Sequence, residues 1–198
     1  MVWKDYIVKQ FGRINRSTTN ENDFYGAYST LLLDLFPPEE YYDVAPQFRR
    51  NTGMDYAIPF VVLKGNTPIF FVEIKTFVAL ELGSARDVAD NQMRTIFYDF
   101  SSNHLPQPKL IGISAMGTHF AVYEYTPNDH RVDPSIIADT APKERWSDDI
   151  MKDSGEAKLK ALVNEVKEMA SAIDKDCEYS FFFFVTPVHL LINTNVSV

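Results

Sequence analysis

The sequence predicts an α/β domain with a mixed central sheet, and three observations carry that expectation. Apolar residues recur at helical spacing over 21–36, 84–102 and 156–173. Apolar, β-branched and aromatic runs fill 44–50, 55–63, 69–77, 109–115 and 119–125. Turn signals, Lys64-Gly65-Asn66-Thr67 and Met116-Gly117-Thr118, separate two pairs of those runs as hairpins.

The elements follow in order. Residues 1–12 form a short helix ended by Gly12. Thr18 and Glu21 fit a capping box before a helix over 21–36, whose apolar stripe is Phe24, Tyr28, Leu31, Leu32 and Leu35. Pro37-Pro38 ends it. The run over 44–50 is a short strand. Pro59 in the strand over 55–63 points to an edge or a bulge. The strand over 69–77 is apolar enough to be buried on both faces. A helix over 84–102 follows, then two strands. Residues 127–144 are polar and proline-bearing, hence loop, with a short helix over 146–151. The helix over 156–173 carries Leu159, Leu162, Val163, Val166 and Met169 on one face.

The 198 residues, 45% apolar and 23% charged, suit one globular domain, taken as 1–177. The apolar tail over 178–198, with the run Phe181-Phe182-Phe183-Phe184-Val185, is shorter than the roughly 20 residues of a membrane span. No membrane partner is expected. Met1 to Gln10 mixes charges among apolar residues, so no signal peptide is expected. The single cysteine, Cys177, excludes an internal disulfide and a cysteine zinc site, and the cytoplasm or nucleus is the expected setting. The net charge of −8 argues against a general nucleic-acid coat, because phosphate contacts need Lys and Arg.

Chemistry concentrates on Glu73-Ile74-Lys75. On a strand, Glu73 and Lys75 share a face while Ile74 points the other way. Two charges at the end of Phe70-Phe71-Val72 need a physical reason, because a buried unpaired charge is unfavourable. If Gly65 centres a three-residue turn, Asp55 falls opposite Lys75 and diagonal to Glu73; a two-residue turn sends it to the other face unless a bulge corrects the register. Two carboxylates and an ammonium suit metal-assisted phosphodiester hydrolysis, with Mg²⁺ on the carboxylates and Lys75 aligning the water. Glu-x-Lys recurs as Glu156-Ala157-Lys158 and Glu165-Val166-Lys167, but on a helix, where both read as solvated charges.

Asp55 with Phe70-Phe71-Val72-Glu73-Ile74-Lys75 resembles the PD-(D/E)XK nuclease superfamily, over about half the chain; Met54 stands where the family's name-giving proline would be. That resemblance implies a restriction-endonuclease-like α-β-β-β-α-β core with a mixed central sheet and C-terminal helices. It implies a metal-dependent nuclease of DNA, or secondarily RNA, using Mg²⁺ or Mn²⁺. It makes Asp55, Glu73, Lys75 and Gln92 the catalytic residues and Glu21, Asp55, Glu73 and the Ile74 carbonyl the metal ligands. Asp23 competes with Glu21, and Gln92 with Tyr98 resembles a RecB-like element. The stretch from Ser84 to Gly117 also resembles short uncharacterised fungal proteins, which implies a source and no activity.

The plainer alternatives are a cross-strand ion pair for Glu73 and Lys75, a turn residue for Asp55 and a helix cap for Glu21. Arg49, Arg50, Arg86 and Arg94 are the candidate phosphate contacts, and the four histidines show no metal-ligand spacing. The competing function is a nuclease fold that no longer cuts and binds protein or nucleic acid. A homodimer is a further partner option.

Overall fold

A computed structural model describes residues 3–49, 57–101, 105–137 and 139–182, with side chains described as far as Ile173. The elements are α1 (Asp5–Gly12), α2 (Tyr25–Leu35) entered through a 3-10 turn at Glu21–Phe24, and the strands β1 (Tyr42–Phe48), β2 (Ile58–Lys64) and β3 (Thr67–Lys75). Then come α3 (Phe77–Glu81), α4 (Gly83–Ser101), β4 (Leu110–Met116), β5 (His119–Thr126), β6 (Arg131–Asp133), β7 (Asp148–Asp149) and α5 (Asp153–Phe182).

The sheet is open and mixed, in the order β1-β2-β3-β4-β5-β6, with β7 pairing the start of β5. All neighbours are antiparallel except β3 and β4, which run parallel across the α4 crossover. Alternation along the strands divides the core into two layers. Phe70, Val72, Ile74, Ile111, Ile113 and Ala115 pack against α1, α2 and α5. Phe71, Leu110, Met116, Ala121, Tyr123 and Tyr125 pack against α4. Central strands buried on both faces have no solvent side, which is why β3 and β4 lack a polar alternation.

The β2–β3 hairpin takes the second of the two registers left open by the sequence, a two-residue turn with a bulge. Its turn is the two-residue Gly65-Asn66, with Gly65 at φ +59°, which a residue without Cβ adopts freely. An irregularity between Val62 and Leu63 shifts the ladder, so that Phe60 faces Val72. The bulge shifts the pairing by one residue there, and Asp55 lies outside the described residues. Pro59 is not at an edge, because β2 lies between β1 and β3. The pairing passes over Pro59 and Gln47, whose φ is +48°. Phe60 packs on the α1–α2 side and Ile58 on the α4 side, so the strand turns over at Pro59.

Three further expectations are corrected. The helix over 146–151 is a 3-10 turn, Lys143–Trp146, followed by β7, and the loop over 127–144 contains β6. Glu156 is buried, bonded to Lys160 one turn on at 2.6 Å, rather than solvated. Helix α5 runs to Phe182, and residues 183–198 of the tail lie outside the described residues. Among the described residues no helix is long and apolar enough to cross a membrane.

Candidate functional site

At the carboxyl end of β3, beside that of its parallel neighbour β4, the chain leaves the sheet for α3 and α4, the usual ligand position in an open α/β sheet. Glu73 leaves β3 on the face of Phe71, towards α4, and pairs in register with Ser114 of β4. The Ser114 hydroxyl accepts a 3.2 Å bond from the buried Trp146 indole. Glu73 is 1% exposed. Its Oε1 accepts from the Lys75 ammonium at 2.8 Å, and its buried Oε2 has no hydrogen-bond partner.

Burial pushes the Glu73 carboxyl up to about 7, against the opposing pull of Lys75. Burial alone would lower the Lys75 ammonium, but Glu73 and Glu21 outweigh it and hold it above the ordinary lysine value. Glu21 lies 3.2 Å from the Lys75 ammonium, so one cation bridges two carboxylates from different elements.

The capping box does not form, and that frees Glu21. Asn20 caps the turn by accepting from the Asn22 amide, while Thr18 bonds the Asp23 carboxylate at 2.5 Å. Asp23, the rival acid, is thereby tied to Thr18 and Asn20. Tyr25, one helical turn after Glu21, is not singled out by the sequence pattern. Its ring packs edge-on to Phe60 at 5.8 Å, and burial, then the charges of Glu21 and Glu73, push its phenol up. The i, i+4 relation to Glu21 was the available signal.

Other expected residues stand apart. Asp55, with Met54 and Arg50, lies outside the described residues. The Ile74 side chain is in the core, and the role given to its carbonyl still rests on the resemblance. Gln92 is half-buried on α4 and forms no hydrogen bond to Glu21, Glu73 or Lys75; Tyr98 is 76% exposed. Arg86 is spent on the carbonyls of Leu80 and Ala141, and Arg94 on Asp90 and the Pro134 carbonyl. Neither is a free phosphate contact. Among the described residues no three acidic, histidine or cysteine side chains form a ready metal cage.

Comparison with models of known protein families, with curated proteins and with solved structures returned no match.

Proposed function

We propose that this chain is a Mg²⁺-dependent hydrolase of nucleic-acid phosphodiester bonds, DNA before RNA, on a restriction-endonuclease-like core. The order α2-β1-β2-β3-α4-β4, with β3 and β4 parallel, is the order that such a core requires. The observation that carries it is the unpartnered, buried Oε2 of Glu73 beside Lys75 and Glu21. A carboxylate oxygen left without a donor in the interior is unfavourable, and a hard cation satisfies it.

Glu73 and, by the resemblance, Asp55 and the Ile74 carbonyl would hold the ion, which when bound supplies Lewis-acid polarisation of the phosphoryl group. Mn²⁺ would serve the same donors. Lys75 is the group that orients the attacking water. Glu21 keeps the ammonium anchored once Glu73 turns its charge elsewhere. Tyr25 adds a phenol at the same corner.

A second reading, a nuclease fold that binds but does not cut, is favoured by one observation: Glu73 is covered and already paired with Lys75. Titrating Mg²⁺ and Mn²⁺ into the wild type, Glu73→Gln and Lys75→Ala, on single- and double-stranded DNA and RNA, separates the two. The hydrolase reading expects EDTA-sensitive cleavage that each substitution lowers by roughly 10²-fold or more. No cleavage on any substrate, with no metal-dependent change in melting temperature, leaves the binding module.

A further inference from the structure

The start of α2 meets the end of β3 at three points, and all three lie on one stripe of the helix. Phe24 follows Glu21 by one 3-10 turn and Tyr28 follows Phe24 by one α-helical turn, so the three side chains share a face. Glu21 reaches the Lys75 ammonium at 3.2 Å. Phe24 meets the ring of Phe77, two residues beyond Lys75, edge-on at 5.6 Å. Tyr28 donates its hydroxyl to the Gly117 carbonyl at 2.8 Å. The Gly117 amide in turn donates to the Lys75 carbonyl at 2.8 Å, just past the last β3–β4 pair, Lys75 with Met116. One residue therefore joins a hydroxyl on α2 to the backbone of Lys75, while Glu21 on the same stripe holds its side chain.

This path has little room to shift. Gly117 sits at φ +68°, and a Cβ there would fall 2.1 Å from the Phe77 ring, so the β4–β5 turn is seated directly on that ring. Phe24 and Tyr28 are buried. Phe11 packs edge-on to the Tyr28 ring at 5.2 Å, so the ring belongs to the core and the hydroxyl alone reaches the turn. Burial pushes the Tyr28 phenol up, which keeps its proton in place and the hydroxyl a donor.

We propose that Tyr28 is a positioning residue for Lys75, acting through Gly117 to fix the strand end from which the ammonium reaches Glu73 and Glu21. A lysine ammonium rides on a flexible stem, so it is placed only as well as its backbone and the carboxylates that hold it. Here Tyr28 references the backbone and Glu21 the ammonium to the same helix. The role rests on the reading of Lys75 as the group that orients the attacking water. A misplacement of about 1 Å in such a group lowers a rate by up to roughly 10²-fold.

The test compares Tyr28→Phe, which removes one hydroxyl, with Tyr123→Phe, which removes a buried hydroxyl bonded to Asp90 on the α4 side. Two quantities are read on the full chain, well below its melting temperature. One is steady-state cleavage of labelled single-stranded and duplex DNA in Mg²⁺. The other is hydrogen exchange of the Lys75 ammonium by ¹⁵N NMR, its signal assigned by its loss in Lys75→Ala. Tyr28→Phe should lower kcat by about tenfold with KM and the Mg²⁺ midpoint unchanged, as loss of alignment rather than of binding does. It should also speed exchange of the Lys75 ammonium severalfold, and Tyr123→Phe should change neither quantity. Unchanged ammonium exchange in Tyr28→Phe overturns the role whatever the cleavage rate, and so does an equal fall of kcat in both variants. Faster exchange in a chain that cleaves nothing keeps the placement of Lys75 by Tyr28 and removes the hydrolase. Cleavage with kcat unchanged in Tyr28→Phe removes the positioning role and keeps the hydrolase.

Discussion

Glu73 is the side chain on which pH acts most directly. Its carboxyl is raised to about 7 in the folded chain from an ordinary value of 4.5, so the folded state holds its proton more tightly than the unfolded one. Stability from this group is therefore full below about pH 4.5 and is lost as pH rises towards 7. At roughly 1.4 kcal/mol per pH unit the loss is about 3 kcal/mol, within a factor of two. Glu73→Gln removes the titration, so urea unfolding at pH 5 and pH 8 should show a smaller difference in the variant than in the wild type. An equal difference would mean that Glu73 titrates normally. Mg²⁺ added at pH 8 should stabilise the wild type and not Glu73→Gln. Glu73 was legible in the sequence because a carboxylate directly after Phe70-Phe71-Val72 on a buried strand is unfavourable without a partner. Its grouping with Glu21 came only from the family resemblance, because by pattern Thr18 and Glu21 read as a capping box, a place that Asn20 takes instead.

Strands and helices were easier to read than the contacts between them. The periodicity of β3, β4, α4 and α5 was visible because each buries a long apolar face. Helix α3, β6 and β7 were not visible; none exceeds five residues, too few for a period to repeat. The β2–β3 register was undetermined for a similar reason, since a bulge adds a residue without leaving a composition mark. Two glycines show how position inside an element decides the sign of one methyl group. On β4, a Cβ at Gly112 would fall 2.4 Å from the Phe71 ring, which packs against Phe97 at 4.9 Å. Gly112→Ala should destabilise by about 1–3 kcal/mol through overpacking. On α2, a Cβ at Gly26 meets nothing within 4 Å. Gly26→Ala should stabilise by up to about 1 kcal/mol, because alanine is the better helix former. Denaturant midpoints of the two variants should move in opposite directions; the same direction for both would contradict the packing of Phe71 on β4.

Across the whole molecule, the layer on the α4 side is closed by a polar lock rather than by apolar packing alone. Asp90 of α4 is 5% exposed and accepts from Arg94 at 2.9 and 3.1 Å, from the Tyr123 hydroxyl at 2.8 Å and from Arg145. The same two arginines bond the carbonyls of Pro134 and Ser135, so α4, β5, the Lys143–Trp146 turn and the segment after β6 meet at one carboxylate. No spacing rule connects residues 90, 94, 123 and 145, so the lock could not be read from the sequence beyond the i, i+4 pair of Asp90 and Arg94. Removing the shared acceptor strands two partly buried guanidiniums, whereas removing one hydroxyl leaves every charge paired. Asp90→Ala should therefore cost about 3–5 kcal/mol, and Tyr123→Phe only about 1 kcal/mol. Because the lock lies on α4 and β5 and Glu73 on β3, neither change should alter the metal response at Glu73 while the chain remains folded. Urea unfolding with and without Mg²⁺ checks both statements. Equal losses for the two variants would show that Asp90 is an ordinary surface-type acceptor, and a lost metal response in folded Tyr123→Phe would show that the lock and the β3 end act as one unit.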